Sequence, residues 1–291
     1  MAKSHSDMGN LLKNAKLTPI VLDPLLTSTQ KGFEMFDKQR FGGVARLYGE
    51  SPTTTIAGLH IAVIGIGGVG SWSAEALART GIGQITLIDL DDICITNTNR
   101  QIHAMADTIG QSKVAVMADR IRQINPDCVV HAIEDFVTPE TVMEYMDGQY
   151  DGVIEATDSI KAKASILYYC KRNKIPVVTV GGAGGQIDPT QITCADLART
   201  IQDPLAAKLR NELRRNYGFS KNPKRRFGIE CIFSTEQLRY PQPDGSVCHN
   251  KSLNDGSTRL DCTSGFGASV MVTASFGMFA AARIVNKLCG A

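Results

Sequence analysis

The feature that most constrains the fold is a glycine-rich loop between a predicted strand and a predicted helix. Residues 59–70 read Leu-His-Ile-Ala-Val-Ile-Gly-Ile-Gly-Gly-Val-Gly. The apolar, β-branched run before the glycines predicts a buried strand, and the amphipathic stretch 71–80 predicts a helix. A Gly-x-Gly-x-x-Gly turn in this setting is typical of nucleotide-binding loops. Its glycines let the backbone approach a phosphate, and the helix start offers that anion free N–H groups.

The chain after this loop alternates between predicted strands and predicted helices. The strands are predicted at 84–89, 128–133, 152–156 and 176–180, and the helices at 111–124, 138–146 and 159–173. The alternation predicts an α/β fold with a Rossmann-like, doubly wound and mostly parallel sheet. The cluster Gly181-Gly-Ala-Gly-Gly185 cannot lie inside a helix or strand, so it marks the start of an elaborated C-terminal half.

The chain has no clean linker, and we predict one fold in three regions. They are an N-terminal tail and short helix at 1–38, a nucleotide-binding core at 39–185, and a C-terminal extension of the same fold at 186–291. Residues 1–28 are polar and broken by prolines, which predicts a loose tail. The short helix is predicted at 29–40, and residues 50–58 are expected to form a turn-rich link into the first strand.

Composition excludes several classes of protein. The net charge of +2 gives no global field for a polyanion, so any nucleic-acid site must be a local patch. The eight scattered cysteines form no Cys-x-x-Cys pair, which favours a reducing compartment, the cytoplasm, over a disulfide framework. The N-terminus lacks the apolar core of a secretory signal. The uncharged stretch 263–282 is long enough for a membrane span, but its serines, threonines and glycines favour a helix packed against the sheet.

Polar groups cluster just after the second predicted strand, where α/β sheets place their ligands. Asp89 ends that strand, and its carboxylate is suited to a ribose hydroxyl pair; the alternative is a turn or helix cap. The following segment includes Asp91, Asn97 and Arg100. Lys113 begins a predicted helix, where a cation is unfavourable unless an anion lies close by.

Arg100 and Lys113 together favour a triphosphate over the single pyrophosphate of a dinucleotide. Each cation alone would be a solvated surface charge as readily as a ligand. The missing Gly-Lys-Ser/Thr excludes a P-loop. A nicotinamide oxidoreductase with the same glycine loop would leave both cations without a role.

Asp158 lies where another predicted strand ends and a helix begins, in the sequence Glu155-Ala-Thr-Asp158-Ser. Two interpretations are open. The carboxylate caps the helix, or it lies at the ligand-binding edge of the sheet and holds Mg²⁺ on the phosphates.

The segment 205–226 is strongly basic, with eight cations against the single acid Glu212. Such a run is commonly a solvated charged face. Because the rest of the chain is nearly neutral, we favour a contact with a nucleic-acid backbone. The candidate residues for this contact are Arg214, Arg215, Lys224, Arg225 and Arg226.

These motifs together resemble a known superfamily. The adenylating domain of the ubiquitin-activating enzymes carries a similar set at similar spacing over roughly residues 40–185: Gly65-x-Gly-Gly-x-Gly70, Asp89-x-Asp91, Asn97-x-x-Arg100, Lys113 and Thr157-Asp158. The tRNA threonylcarbamoyladenosine dehydratases, a family within it, carry segments similar to 40–49, 181–190, 200–206 and 262–267. This second resemblance covers nearly everything after residue 38.

The resemblance implies an ATP site and a reaction. The implied nucleotide ligands are Gly65, Gly67, Gly68, Gly70, Asp89, Asp91, Asn97, Arg100 and Lys113, with Asp158 on Mg²⁺. A carboxylate would attack the α-phosphate of ATP to give an acyl-adenylate. In the dehydratases that carboxylate belongs to the threonylcarbamoyl group of a tRNA adenosine, whose own carbamoyl then closes a ring and expels AMP. The partners implied are tRNA and a second copy of the chain in a homodimer.

The sequence also departs from the superfamily pattern. Relatives that activate a sulfur-carrier protein usually have two Cys-x-x-Cys pairs. This chain has none, which weakens the case for sulfur-carrier activation, and that activity remains the alternative. Many relatives have an arginine that reaches across a dimer to the ATP. Gly43 occupies that position here, so Arg46 is the predicted substitute, with Arg40 the alternative.

Two further expectations concern the C-terminal half. Cys231 falls where relatives use a thiol, so it could accept sulfur from a cysteine desulfurase; a small buried strand residue is the alternative. The sequence leaves open whether a monovalent cation, Na⁺ or K⁺, binds in this half.

Overall fold

A seven-stranded sheet forms the centre of the protein. The computed structural model describes residues 36–147, 150–242, 244–249 and 266–290. Its strands are β1 (His60–Ile64), β2 (Gln84–Ile88), β3 (Val129–Ile133), β4 (Gly152–Glu155), β5 (Val177–Val180), β6 (Ile192–Asp196) and β7 (Glu230–Ser234). The spatial order is β3-β2-β1-β4-β5-β7-β6. All neighbours are parallel except β6, which pairs antiparallel with β7. The predicted α/β, mostly parallel sheet is confirmed.

Helices cover both faces of this sheet. They are α1 (Lys38–Tyr48), α2 (Glu50–Gly58), α3 (Gly70–Thr80), α4 (Lys113–Ile124), α5 (Val142–Met146), α6 (Ile160–Asn173), α7 (Pro204–Asn216) and α8 (Val270–Cys289). Short 3₁₀ turns lie at Ile95–Asn97, Pro189–Gln191 and Leu197–Arg199. A two-stranded ribbon, β8 (Tyr240–Pro241) and β9 (Val247–Cys248), follows β7.

Alternation along β1 builds a separate apolar core on each face. Ile61 and Val63 pack with side chains of α3, α4 and α8. Ala62 and Ile64 pack on the other face with side chains of α5, α6 and α7. Both faces are therefore buried, as expected for a central parallel strand that reads as a continuous apolar run.

The C-terminal helix α8 belongs to the same layer as the helix of the glycine loop. A Cβ atom at Gly277 would lie 2.5 Å from Val69 O and 2.8 Å from Trp72 Cβ, so only glycine permits this approach of α8 to α3. Ser73 Oγ donates to Gly277 O at 3.1 Å. No helix among the described residues has the length and apolar character needed to cross a membrane. The prediction of a helix buried against the rest of the fold is confirmed for the described part of 263–282.

The N-terminal region differs from its prediction. Residues 50–58 form the helix α2 rather than a turn-rich link, because Pro52 lies in its first turn, where proline is tolerated. Gly49, with φ of +90°, separates α2 from α1, and Ile56 is fully buried. The predicted tail 1–28 lies outside the described residues, as does most of the helix predicted at 29–40.

Candidate active site

The glycine loop turns tightly between β1 and α3. Gly65 has a φ of +86°, and a Cβ atom at Gly70 would lie 1.8 Å from Gly65 O. Both positions therefore require glycine. The turn directs the N-terminus of α3 toward the carboxyl edge of the sheet, where its first N–H groups can meet an anion.

Asp89 is tied to this loop by its carboxylate. Oδ2 accepts a hydrogen bond from the Ile66 N–H at 2.6 Å, and Oδ1 accepts one from the Asp91 N–H at 2.9 Å. Burial raises the pKa of Asp89, and the nearby Lys113 ammonium opposes that rise. The carboxylate is thus held in place at the end of β2 before any ligand arrives.

Lys113 is the first residue of α4 and faces the same carboxylates. Its Nζ lies 2.7 Å from Asp91 Oδ2 and 3.8 Å from Asp89 Oδ1. The Lys113 side chain is 7% exposed, whereas that of Asp91 is 58% exposed. A cation at a helix start needs an anion close by, and in this chain Asp91 is that anion.

Arg100 lies beside the glycine loop, as predicted. A Cβ atom at Gly68 would lie 3.3 Å from Arg100 Cγ. The Arg100 carbonyl accepts hydrogen bonds from Trp72 Nε1 and Thr273 Oγ1, so the residue is anchored by α3 and α8. Asn97 is buried, and its side-chain oxygen accepts from the Cys94 N–H at 2.9 Å. Its contact in this structure shapes the turn, and a contact with phosphate stays a prediction.

Asp158 follows β4 and is exposed. Ser159, not Asp158, is the N-cap of α6, and its Oγ accepts from the Ala162 N–H. In the described part of the chain the Asp158 carboxylate has no hydrogen bond or ion pair. The capping interpretation is therefore wrong, and within the described residues no contact competes with a ligand for this carboxylate.

Three residues of this region were missed by the sequence analysis. His103 is fully buried, and its Nε2 donates to Ile66 O in the glycine loop at 2.9 Å. Burial lowers the pKa of His103 to about 4, so the ring is neutral. Glu155 and Lys163 form a buried ion pair below the Asp158 segment. No local pattern signals these contacts, because His103 and Ile66 are far apart in the chain and the Glu155–Lys163 pair forms only when a helix packs on the strand before it.

One chain does not bring Arg40 or Arg46 to the glycine loop. Arg40 Nη1 donates to Ile124 O, at the end of α4 opposite Lys113. Arg46 is exposed on α1, the helix whose Phe41 contacts Gly81 at the end of α3 far from the loop. An α-helix of this length spans about 16 Å, so neither arginine reaches the loop within the chain. A role for Arg46 at the site requires a second copy.

Cys231 has the surroundings of a core residue. Its side chain is fully buried in β7, and its Sγ lies 3.7 Å from Ile232 O. Burial raises the pKa of this thiol well above its ordinary value. Because the thiolate is the reactive form, these surroundings oppose the predicted sulfur-accepting role.

The basic segment divides into structural and free cations. Arg214 is half-buried: its Nε donates to Ser220 O, and its guanidinium lies 5.4 Å from the ring centroid of Phe227. The remaining predicted contacts, Arg215, Lys224, Arg225 and Arg226, are exposed. Asp196 fixes the end of the loop by accepting hydrogen bonds from the backbone N–H groups of residues 227 and 228.

The donor set of the site fits a nucleotide that brings its own metal. The described residues contain no group of three or more His, Cys, Asp or Glu side chains able to hold a metal ion. Asp158, whose carboxylate has no partner among the described residues, follows a segment that packs on the glycine loop. Mg²⁺ is commonly bound by one or two carboxylates together with substrate phosphates, and this arrangement fits that coordination preference.

Comparisons with known proteins agree with this geometry. The model of the ThiF family matches residues 43–291. The tRNA threonylcarbamoyladenosine dehydratase of Escherichia coli is 61% identical over 251 residues, 86% of this chain and 94% of the relative. The crystal structure of the E. coli tRNA N6-threonylcarbamoyladenosine dehydratase in complex with ATP matches with a TM-score of 0.78 at 56% identity, over 87% of this chain and 95% of that one.

The alternative activity has weaker support. The E. coli sulfur carrier protein ThiS adenylyltransferase is 32% identical over 130 residues, only 44% of this chain. The match to the E. coli dehydratase covers 86% of this chain, about twice as much. The chain therefore belongs to the ThiF family and, within it, to the tRNA threonylcarbamoyladenosine dehydratases.

Proposed function

We propose that this protein dehydrates threonylcarbamoyladenosine in tRNA at the expense of ATP. The substrate carboxylate attacks the α-phosphorus of ATP, which forms a mixed anhydride and releases pyrophosphate. The carbamoyl group then attacks the activated acyl carbon, closes a ring and expels AMP. One carboxylate oxygen leaves with AMP, so the nucleoside loses one water overall.

The observation that carries this proposal is the convergence of an anion-binding loop with two cations. The loop glycines and the start of α3 offer N–H groups to phosphates. The Arg100 side chain packs on Gly68, and Lys113 Nζ lies 3.8 Å from the Asp89 carboxylate that the loop holds. Asp89, whose carboxylate accepts from the Ile66 N–H of the loop, is assigned to the ribose hydroxyls. Positive groups fixed around a phosphate stabilise the charge that develops there during adenylation.

The second step depends on orientation. Ring closure joins two groups of the same substrate, so holding them in contact supplies much of the rate. The reaction needs no enzyme thiol, which agrees with the burial of Cys231. Bound Mg²⁺ would neutralise the phosphates, and we assign Asp158 to hold it.

The exposed cations Arg215, Lys224, Arg225 and Arg226 are proposed to contact the tRNA backbone. Such contacts give affinity that falls with salt and carry no base specificity. Replacement of Arg225 and Arg226 by Glu should weaken tRNA binding and its salt dependence but leave ATP binding unchanged. Equal tRNA affinity at low salt would exclude this surface.

We further propose a homodimer in the cytoplasm, in which Arg46 of each copy reaches the nucleotide of the other. This arrangement is the one that gives Arg46 access to a site, because within one chain α1 lies at the far end of α3. A monovalent cation and a cysteine-desulfurase partner remain predictions without a structural argument.

The test is incubation of the protein with ATP, Mg²⁺ and tRNA that carries threonylcarbamoyladenosine. Mass spectrometry of the nucleosides should show loss of one water, with one AMP formed per nucleoside converted. If the substrate carboxylate carries ¹⁸O, the label should appear in the AMP phosphate. Asp158→Ala should abolish turnover without unfolding the protein.

Two outcomes would contradict the proposal. Unlabelled AMP would mean that ATP is hydrolysed apart from the substrate. Formation of an adenylate on a protein ending in Gly-Gly, with tRNA left unchanged, would favour sulfur-carrier activation instead.

A further inference from the structure

A buried ion pair lies beneath the segment that carries Asp158. Glu155 is the last residue of β4, and Lys163 lies near the start of α6; neither side chain is exposed. Lys163 Nζ is 2.5 Å from Glu155 Oε2. Because such charges are costly to desolvate, an apolar pair of similar volume often gives equal stability. Stability alone therefore does not account for this pair.

The pair holds one residue, Thr157, from both sides. Glu155 Oε1 accepts hydrogen bonds from the Thr157 backbone N–H at 2.9 Å and from its hydroxyl at 2.6 Å. Lys163 Nζ donates to Thr157 O at 2.9 Å. That carbonyl belongs to the planar peptide bond joining Thr157 to Asp158, so the ion pair fixes the plane from which Asp158 extends.

The anchor is itself held by the neighbouring strand. Thr179 of β5 donates its hydroxyl to Glu155 Oε2 at 2.6 Å. Both carboxylate oxygens of Glu155 are therefore in use, one toward Thr157 and one toward Lys163 and Thr179. A carboxylate with every direction occupied cannot change rotamer without losing buried hydrogen bonds.

The segment held in this way packs on the glycine loop. A Cβ atom at Gly65 would lie 2.8 Å from Ala156 O and 2.9 Å from Thr157 N. Ala156 N donates to Ile64 O at 2.8 Å. Any displacement of Thr157 would therefore move Asp158 relative to the loop that receives the phosphates.

We propose that Glu155 and Lys163 are positioning residues that orient the Asp158 carboxylate toward the phosphate site. The Asp158 side chain has no hydrogen bond of its own within the described residues, so its backbone is the means of aiming it. The proposal rests on the proposed function, in which Asp158 holds Mg²⁺ on ATP. Neither positioning residue touches the nucleotide.

The test is the double variant Glu155→Gln/Lys163→Met, which removes both charges of the pair at similar volume. Burial raises the pKa of Asp203 and Lys163 opposes that rise; in the variant this buried residue keeps its hydrogen bonds from the Gly182 and Ala206 N–H groups. Calorimetry would measure ATP affinity with EDTA and across a Mg²⁺ titration. Affinity without Mg²⁺ should stay within about twofold of the wild type, because the loop, Asp89 and Lys113 are unchanged. The Mg²⁺ concentration for half of the effect should rise by about tenfold or more, the range seen when groups supporting a metal ligand are removed.

A matched control separates positioning from general loosening of the core. Ile166→Val removes one buried methyl group from the same helix and touches none of these hydrogen bonds. Its Mg²⁺ response should equal that of the wild type. Thr157→Val removes the hydroxyl bond but keeps the two backbone bonds, so it should shift the Mg²⁺ response in the same direction by a smaller factor.

A folded double variant with the wild-type Mg²⁺ response would overturn the proposal, even if the wild type dehydrates tRNA. If the double variant does not fold, Thr157→Val decides, and an unchanged Mg²⁺ response overturns it. A wild type that binds Mg²⁺–ATP but leaves the tRNA nucleoside unchanged would refute the proposed reaction and not the positioning role.

Discussion

Lys113 and Lys163 have the same chemistry but different surroundings. Each lies near the start of a helix that follows a parallel strand, and each pairs with a carboxylate at the same edge of the sheet. The partner of Lys113, Asp91, is 58% exposed, whereas Lys163 and Glu155 are both fully buried. Lys113 Nζ has one carboxylate oxygen in close contact at 2.7 Å, and Lys163 Nζ contacts two protein oxygens within 2.9 Å.

The difference indicates which pair can exchange its partner. Asp91 can turn into water and leave Lys113 to a phosphate, because the Asp91 carboxylate is largely solvated and Asp89 stays 3.8 Å from Lys113 Nζ. Lys163 has no such freedom, since parting from Glu155 would strand a charge in the core. One lysine is therefore available for binding, and the other maintains geometry.

The largest expected effect is on stability, at the buried pair. Lys163→Met should lower the free energy of unfolding by about 3–5 kcal/mol, because Glu155 is left buried without its counter-charge. The matched change Lys113→Met should cost less, about 1–2 kcal/mol, since Asp91 is largely solvated and only the buried Asp89 loses a nearby cation. Urea denaturation measures both. Equal losses for the two variants would show that the pairs do not differ as their burial indicates.

The next effect is on catalysis, at the pair of Lys113 and Asp91. Lys113→Met should slow pyrophosphate release by roughly 10²–10³-fold, the range for removal of a group that stabilises developing charge. Its fold should remain intact. Lys161→Met, at an exposed lysine near the start of α6, is the control and should retain the wild-type rate. Wild-type kinetics for Lys113→Met would remove Lys113 from the phosphate site.

The same contrast explains what the sequence could predict. The glycine loop, Asp89 and Lys113 were predictable because their signals are local: a turn motif, a strand end and an unfavourable charge at a helix start. Glu155 and Lys163 gave no such signal, because their contacts include Thr179 of the next strand, which only the folded chain brings to them. Arg46 was selected from spacing alone, and only the fold shows that α1 lies far from the loop of its own chain.

The N-terminal helices show a similar limit. Residues 50–58 were predicted as a turn-rich link, yet Pro52 lies in the first turn of α2 and the fully buried Ile56 helps to hold that helix in place. Burial of one side chain by distant elements outweighed the local preference for a turn. The strand order was predictable only as far as the alternation of strands and helices, since the antiparallel β6 depends on its pairing with β7.

A third buried contact tests whether the glycine loop is held as firmly as the segment that carries Asp158. His103 holds the glycine loop through Ile66 O and must stay neutral, because burial lowers its pKa to about 4. The unfolded chain, with an ordinary histidine pKa near 6.5, binds more protons between these values. Stability is therefore complete above about pH 6.5 and falls by about 2–3 kcal/mol as the pH drops to 4.

Unfolding free energies of the wild type and His103→Gln across this range would measure the effect. The difference between the two proteins isolates His103 from the opposite contribution of Asp89, whose pKa is raised. The variant should lose the His103 part of the slope between pH 4 and 6.5. Parallel curves would mean that the histidine does not titrate in this way and that the loop is held by other groups.

The smallest expected effect is a partial rescue of activity, which tests whether a second copy of the chain completes the nucleotide site. If Arg46 acts across a dimer, Arg46→Ala and Lys113→Met should each be inactive as homodimers but complement each other when mixed. A mixed dimer has one site with both residues intact, and random exchange makes half of the dimers mixed. Turnover should therefore return to about a quarter of the wild type, as two-fold symmetry requires.

If Arg46 acted within its own chain, every site in every dimer would lack one residue, and mixing would restore nothing. The buried pair offers no such rescue, because Glu155 and Lys163 come from the same chain and each copy must supply both.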